Sequence, residues 1–392
     1  MEFDPRSPAF RADPYPFYDM LRSFAPIFFW EPWGLWFLTA HEDCQALLRD
    51  DRLGHYQPTA LAAPPSQAAL WRMQANWLLT MNPPDHTRLR GLVQKAFTPR
   101  AVAELRTMIQ GVTDALLDRV EDRGTMEVMA DLAYPLPVTV ICEMLGVPTA
   151  DQTRFHGWSA AIVRSLDLTE DEAIYSRASV AAAELTDYLD GLLQERRARP
   201  RGDILSALVA SEEAGDRLTK EELFGTCSLL LVAGHETTVN LIGNGTLALL
   251  RQPDQWRRLS AEPSITAGAV EELLRYDSPV QLTSRAVLQD VTYKGQTFPA
   301  GSFVAFLLGA ANRDPAQFAE PGRLDLGRAN NKHLAFGGGI HYCLGAPLAR
   351  LEGEIAFGTL ARRLPSLALD GPEPAYRDNL TLRGLERLEV RF

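Results

Sequence analysis

The sequence is poor in cysteine and has no cysteine pairs. Its 392 residues hold four, Cys44, Cys142, Cys227 and Cys343, far apart and without a C-x-x-C spacing. That argues against a disulfide framework or a cysteine-built zinc site and predicts a reducing compartment. A positive balance is also missing. The formal net charge is -11, which argues against nucleic acid or an anionic membrane surface as the main partner. No long hydrophobic run occurs. The most apolar stretch, residues 229–233, is far too short to cross a bilayer. Residues 1–11 mix both charges with prolines and carry no apolar core of a signal peptide. A cytoplasmic protein without a membrane anchor is the expectation. Internal repeats and low-complexity linkers are absent too. With 46% apolar residues there is ample material for a core, and a single domain over residues 1–392 is expected.

What is present begins with Phe336-Gly337-Gly338-Gly339-Ile340-His341-Tyr342-Cys343-Leu344-Gly345-Ala346-Pro347. An aromatic residue and three glycines lead to one cysteine, and a helix follows at once. Pro347 suits a first helical turn, where its missing N–H costs nothing. Residues 348–364 are helix-friendly, with Arg362 and Arg363 in the last turn and Pro365 as a stop. Cys343 therefore sits just before a helix N-terminus on a glycine-rich loop. The positive end of the helix favours its thiolate, and a thiolate is a good soft metal ligand. The glycines let the backbone approach something large and flat. The plainer alternative is a buried structural thiol, the usual fate of an isolated cysteine.

Thr219-Lys220-Glu221-Glu222 has the form of a capping box. From it the pattern predicts a helix to about Leu250, longer than the globular average and apolar nearly all round, hence buried. Its middle, Ala233-Gly234-His235-Glu236-Thr237-Thr238, is small and hydroxylated. Gly and Thr there weaken the local hydrogen bonding, which predicts a groove or kink. Two readings stand. One is a helix–helix crossing that needs small residues. The other is a place for a diatomic ligand, with an acid and an alcohol supplying protons.

The rest of the pattern is mainly helical. Residues 14–24 read as a helix with Phe17, Leu21 and Phe24 on one face. Residues 27–39, broken by Pro32-Trp33-Gly34, read as a hairpin, and 42–49 as a helix. Residues 53–79 read as irregular, with Pro58 and Pro64-Pro65, ending in apolar side chains that include Trp71, Trp77 and Leu78. Asp85 is placed to cap a helix on which His86 and Arg90 lie four apart, one above the other. Residues 151–199 predict two helices with a connection near 166–170, and 195–199 a solvated basic helix end. Glu272-Leu273-Leu274-Arg275 sets acid and base at i and i+3. Residues 277–306 predict a small β region, with Arg285 on its first strand, and 307–335 a Pro/Gly-rich meander. Residues 379–383 are placed to turn back toward a pocket.

Phe336-x-x-Gly339-x-x-x-Cys343-x-Gly345 resembles the haem-binding loop of the cytochrome P-450 family. The remaining motifs follow in that family's order over essentially the whole chain. The resemblance implies a fold that is mainly α with a small β region, the haem sandwiched between the long central helix and the cysteine loop. It implies haem b as cofactor, Cys343 as axial ligand to the iron, and O2 as co-substrate. Phe336, Gly339 and Gly345 then belong to the haem-binding loop. Ala233, Gly234, Glu236 and Thr237 match the family's oxygen-binding signature, with Thr237 and Glu236 relaying protons. His86 and Arg90 match a propionate-binding pair, and Arg285 and His341 further anchors. Glu272 and Arg275 match a buried ion pair that an arginine further on completes; Arg323 is the better candidate and Arg328 the rival.

The implied activity is that of a haem-thiolate monooxygenase. Two electrons come from a separate partner, a ferredoxin with its reductase or a flavodoxin-type donor, and a lipophilic small molecule is hydroxylated or otherwise oxidised. The donor would dock near Cys343, where Arg350 is a candidate by position. Trp71, Trp77, Leu78, Leu229, Leu230, Val280, Leu282 and Leu380 are the candidate substrate pocket, and they say only that it is apolar. Two alternatives stand beside this reading. A peroxygenase driven by hydrogen peroxide is one, although the Glu236-Thr237 pair argues against it. A non-catalytic haem sensor or carrier is the other, for which nothing beyond the haem motifs speaks.

Overall fold

In the computed structural model, which describes residues 4–56, 63–169, 171–213 and 218–392, helices dominate and the strands gather into three small sheets. Pro58, and residue 170 of the expected helix connection, lie outside the described residues. The chain groups into two compact units. The first comprises Met1–Gly54, Ala103–Leu136 and Thr237–Phe392; the second comprises His55–Val102 and Pro137–Glu236.

In the first unit, the N-terminal aromatic stretch folds as the expected hairpin, Ile27–Trp30 against Leu35–Leu38. Gly34 makes its turn in the left-handed region, at φ 60°, which a residue without Cβ enters freely. The second strand of the hairpin runs parallel to Phe303–Leu307, which pairs antiparallel with Leu282–Val287, and Leu53–Gly54 closes the far edge. One five-stranded sheet thus unites the two β regions of the sequence. Its core side buries Leu38, Val287, Phe298, Val304 and Phe306. A second sheet joins Thr125–Glu127, Glu389–Arg391 and Ala368–Leu369.

The expected first helix is Tyr15–Phe24. Phe17 and Leu21 are buried, but Phe24 is 89% exposed, because the helix runs out past the core in its last turn. Arg383 ends the segment expected to turn back toward a pocket. Its Nε donates to Asp277 Oδ1 at 2.7 Å and a terminal nitrogen to the Arg11 carbonyl at 2.6 Å, which ties the C-terminal segment to the N-terminus.

In the second unit, the segment expected to be irregular contains a helix, Ala68–Ala75. The helix Asp85–Val93 forms, but Asp85 does not cap it; its carboxylate faces Arg88 at 3.1 Å. Gln152–Arg164 and Glu172–Ala198 are the two expected helices. Arg196 is a correction. It is fully buried, donating from Nε to Asp203 Oδ2 at 2.6 Å and from a terminal nitrogen to the Gly146 carbonyl, so this one residue anchors a helix end that is otherwise solvated as expected.

The long helix spans Lys220–Leu250. Its capping box closes both ways: the Glu222 amide donates to Thr219 Oγ1 at 3.2 Å, and the Thr219 amide to Glu222 Oε2 at 2.9 Å. Glu222 also receives Arg88, at 3.2 Å from Oε2. The helix assignment is continuous through Ala233–Thr238.

Candidate active site

Three of the four cysteines are buried. Burial raises the thiol pKa of Cys44, and pushes those of Cys142 and Cys227 up to about 12. Cys343 is the exception, half-exposed on its loop and three residues before the helix Ala346–Arg363. The loop folds back on itself, the Cys343 amide donating to the Phe336 carbonyl at 3.0 Å. Gly339 lies at φ +67°, and a Cβ there would stand 2.1 Å from the Leu48 carbonyl oxygen, so neither conformation nor space admits a side chain. Gly345 is different. Its φ is -83°, and among the described residues no atom beyond its chain neighbours lies within 4 Å of a Cβ built on it.

Two residues of the helix Thr266–Tyr276 hold the segment that leads into this loop. Glu272 and Arg275 are fully buried and joined by two hydrogen bonds of 2.8 Å. Arg275 also donates to the carbonyls of Asn312 and Pro321, at 3.0 and 2.9 Å. The arginine that completes the pair is Arg328, not Arg323. Arg328 Nε lies 3.1 Å from both Glu272 oxygens. The Arg323 side chain sits on the surface facing Glu320 at 3.3 Å, and only its backbone carbonyl joins the network. Glu271, which sequence reasoning passed over, receives Arg350 through Nε at 2.6 Å and a terminal nitrogen at 3.0 Å, and His333 Nε2 at 3.1 Å. Burial raises its pKa, but the hydrogen bonds from His333 and Arg350 outweigh this and hold it at about 2.

Arg285 is buried on the strand Leu282–Val287. It donates to Thr283 Oγ1 at 3.2 Å and to the Ser284 carbonyl at 2.7 Å, and pairs with no carboxylate among the described residues. Burial alone lowers its pKa to about 10. His341 lies half-buried in the short 3-10 turn before Cys343. These groups belong to the first unit. In the second unit His86 is buried and Arg90 half-buried, four apart on the helix Asp85–Val93.

Along the long helix, His235, Glu236 and Thr238 are buried, Gly234 and Thr237 half-buried, and Ala233 exposed. The packing reading holds at Gly234. A Cβ on Gly234 would lie 3.0 Å from Ile141 Cγ1, so its smallness serves the packing of the helix Pro135–Leu145. Ala233 and Thr237, four apart, lie on a face that is not fully covered. His235 Nδ1 donates to the Leu231 carbonyl at 2.7 Å, and its Nε2 lies 3.0 Å from the Ser159 hydroxyl.

The pocket candidates divide. Trp77 is fully buried and its indole donates to Ser228 Oγ at 2.9 Å, so it is core of the second unit and not a pocket wall. Val280 packs against the core cluster of the first. Leu78, Leu230, Leu282 and Leu380 are buried, and Trp71 and Leu229 half-buried.

The family model for cytochrome P450 matches residues 62–383. The chain belongs to the cytochrome P450 family. It is 46% identical over 325 residues to cytochrome P450 CYP107DY1 of Priestia megaterium, covering 82% of this chain and 78% of that protein. It is 43% identical over 391 residues to the vitamin D(3) 25-hydroxylase of Pseudonocardia autotrophica, covering 98% and 95%. The crystal structure of P450BioI with an acyl carrier protein ligated to hexadec-9Z-enoic acid superposes with a TM-score of 0.94 at 40% identity, covering 98% of this chain and 100% of that one. Membership makes this cytochrome P450 a monooxygenase that binds haem b, uses O2 as co-substrate, draws electrons from a redox partner and oxidises lipophilic small molecules. Among the described residues no helix is long and apolar enough to cross a membrane.

Proposed function

We propose that Cys343 is the axial thiolate of this cytochrome P450 and that residues 1–392 form a single functional domain. Arg285 carries the reading: a buried guanidinium that no carboxylate of the described residues answers calls for an anion from outside the chain, and a haem propionate is one. Gly345 fits as well, since among the described residues nothing crowds the place of its missing side chain and a macrocycle lying there would. His86, Arg90 and His341 serve as further propionate donors.

When bound, haem supplies the oxidation chemistry, activating O2 with two electrons and two protons, inserting one oxygen atom into a substrate C–H bond and releasing the other as water. The chain's own residues deliver the protons. Thr237 Oγ1 holds and passes a proton at the incompletely covered helix face beside Ala233, and Glu236 resupplies it. The electron donor is a ferredoxin with its reductase or a flavodoxin-type protein, and the enzyme works in the cytoplasm. The substrate is a long apolar molecule. A vitamin D(3) hydroxylase among the relatives and a fatty acyl chain in a neighbouring structure support that class.

The test is the absorption spectrum of the reduced protein with carbon monoxide. A strongly red-shifted Soret band in the wild type, lost in Cys343→Ala, is expected. A shifted band that survives the substitution would remove Cys343 from the iron.

A further inference from the structure

Arg350 lies one turn into the helix that follows Cys343, where a docking cation for an electron donor is expected. The structure gives it other work. Two of its nitrogens form a fork on Glu271, at 2.6 and 3.0 Å. A third donates to the Tyr342 hydroxyl at 3.2 Å. The guanidinium carbon stands 4.5 Å from the centre of the Phe336 ring. Phe336 and Tyr342 are the two ends of the loop that turns back to Cys343, and their rings lie 6.2 Å apart. Arg350 therefore grips both ends at once.

Glu271 extends the grip one step further back. It accepts from His333 Nε2, while His333 Nδ1 accepts the Ala335 amide at 3.2 Å, which fixes the imidazole orientation. The His333 ring sits 5.8 Å from Phe336. Neighbouring acids on one helix thus divide the approach to Cys343 between them: Glu272 holds the meander through Arg275 and Arg328, and Glu271 holds the loop through His333 and Arg350. A charge already paired bidentately is a poor handle for an acidic protein, which would have to displace Glu271 to use it.

We propose that Arg350, held by Glu271, is a positioning residue for the Cys343 loop and not a docking cation for the electron donor. The inference rests on Cys343 as iron ligand. A planar fork that also stacks on a ring is something lysine cannot reproduce.

The experiment uses the haem-loaded protein and three variants, Arg350→Lys, Arg350→Ala and Glu271→Gln. It follows the conversion of the shifted carbon monoxide band to the unshifted one, the reduction potential, and the affinity for a plant-type [2Fe–2S] ferredoxin. Positioning predicts conversion faster by about threefold or more in all three variants, Arg350→Lys included, with a moved potential. A docking cation predicts that Arg350→Lys matches the wild type in band and potential, that only Arg350→Ala weakens ferredoxin binding, and that Glu271→Gln strengthens it; this outcome overturns the proposal. If an arginine variant fails to load haem, Glu271→Gln decides alone, since it keeps a hydrogen-bonding side chain and removes only the charge. A wild type without a shifted band would instead sink the ligand assignment itself.

Discussion

Arg275 and Arg285 are both buried guanidinium groups of one unit, and they differ in what answers them. Arg275 has Glu272 in a two-bond fork and carbonyl oxygens for its other donors. Arg285 has one hydroxyl and one carbonyl. Burial lowers the pKa of both, but only at Arg275 does a carboxylate push back. A buried charge with its counter-charge is a finished piece of architecture. One without it costs stability until a ligand brings the missing sign.

Breaking the finished network has the largest expected effect. Glu272→Gln leaves Arg275 and Arg328 facing a neutral side chain, and should lower the unfolding free energy by about 3–5 kcal/mol and shed haem. Denaturant unfolding measures it; a loss under about 1 kcal/mol would show that the network is not a unit. Arg285→Met should do the reverse to the haem-free protein, whose melting temperature stays level or rises, while haem dissociates roughly tenfold to a hundredfold faster for the ~1.5–3 kcal/mol of a charge-assisted hydrogen bond. A haem-free protein that unfolds more readily would mean that Arg285 has a partner within the chain.

Glu352 offers the comparison with the opposite sign. It is a buried acid on the helix after the loop, and neither carboxyl oxygen makes a well-formed hydrogen bond. Burial pushes its pKa up to about 8, against a smaller lowering by the Thr238 hydroxyl. An acid whose folded pKa is raised contributes most below its unfolded pKa and loses that contribution as pH rises toward about 8. Glu352→Gln should therefore gain on the wild type across that window, by about 1–3 kcal/mol at the top, and not below it. Unfolding midpoints taken against pH decide it; a constant difference would mean that the proton is not involved. The smallest effect belongs to Arg323→Ala, within about 0.5 kcal/mol as for an exposed pair. Arg328→Ala beside it should cost several times more, and equal losses would undo the correction of the network.

What was legible in the sequence was local. The capping box at Thr219, the i and i+3 spacing of Glu272 and Arg275, and the loop before a helix at Cys343 are all set by neighbours within a turn or two. What was not legible depends on the path of distant chain. Arg323 and Arg328 each follow a glycine in the same meander, and only the route of the backbone decides which one reaches Glu272. Trp77 and Arg196 read as a pocket wall and a wet surface because Ser228, Asp203 and the Gly146 carbonyl, which bury them, lie elsewhere in the sequence. Glu271 was missed because its partners, His333 and Arg350, stand on either side of the cysteine and had been given other roles or none. The sheet of Thr125–Glu127 with Glu389–Arg391 has strands too short to show a period.

The five-stranded sheet also sets a timetable for synthesis. Its second strand, Leu35–Leu38, is made early, but the parallel partner Phe303–Leu307 is among the later segments to emerge. Until then an aromatic hairpin waits with a bare edge on the growing chain, the condition under which nascent proteins stick to one another. Such distant pairings form slowly. Arg285 is seated on that same sheet, and Cys343 leaves the ribosome later still. The proposed haem site is therefore among the last features to be completed as the chain emerges.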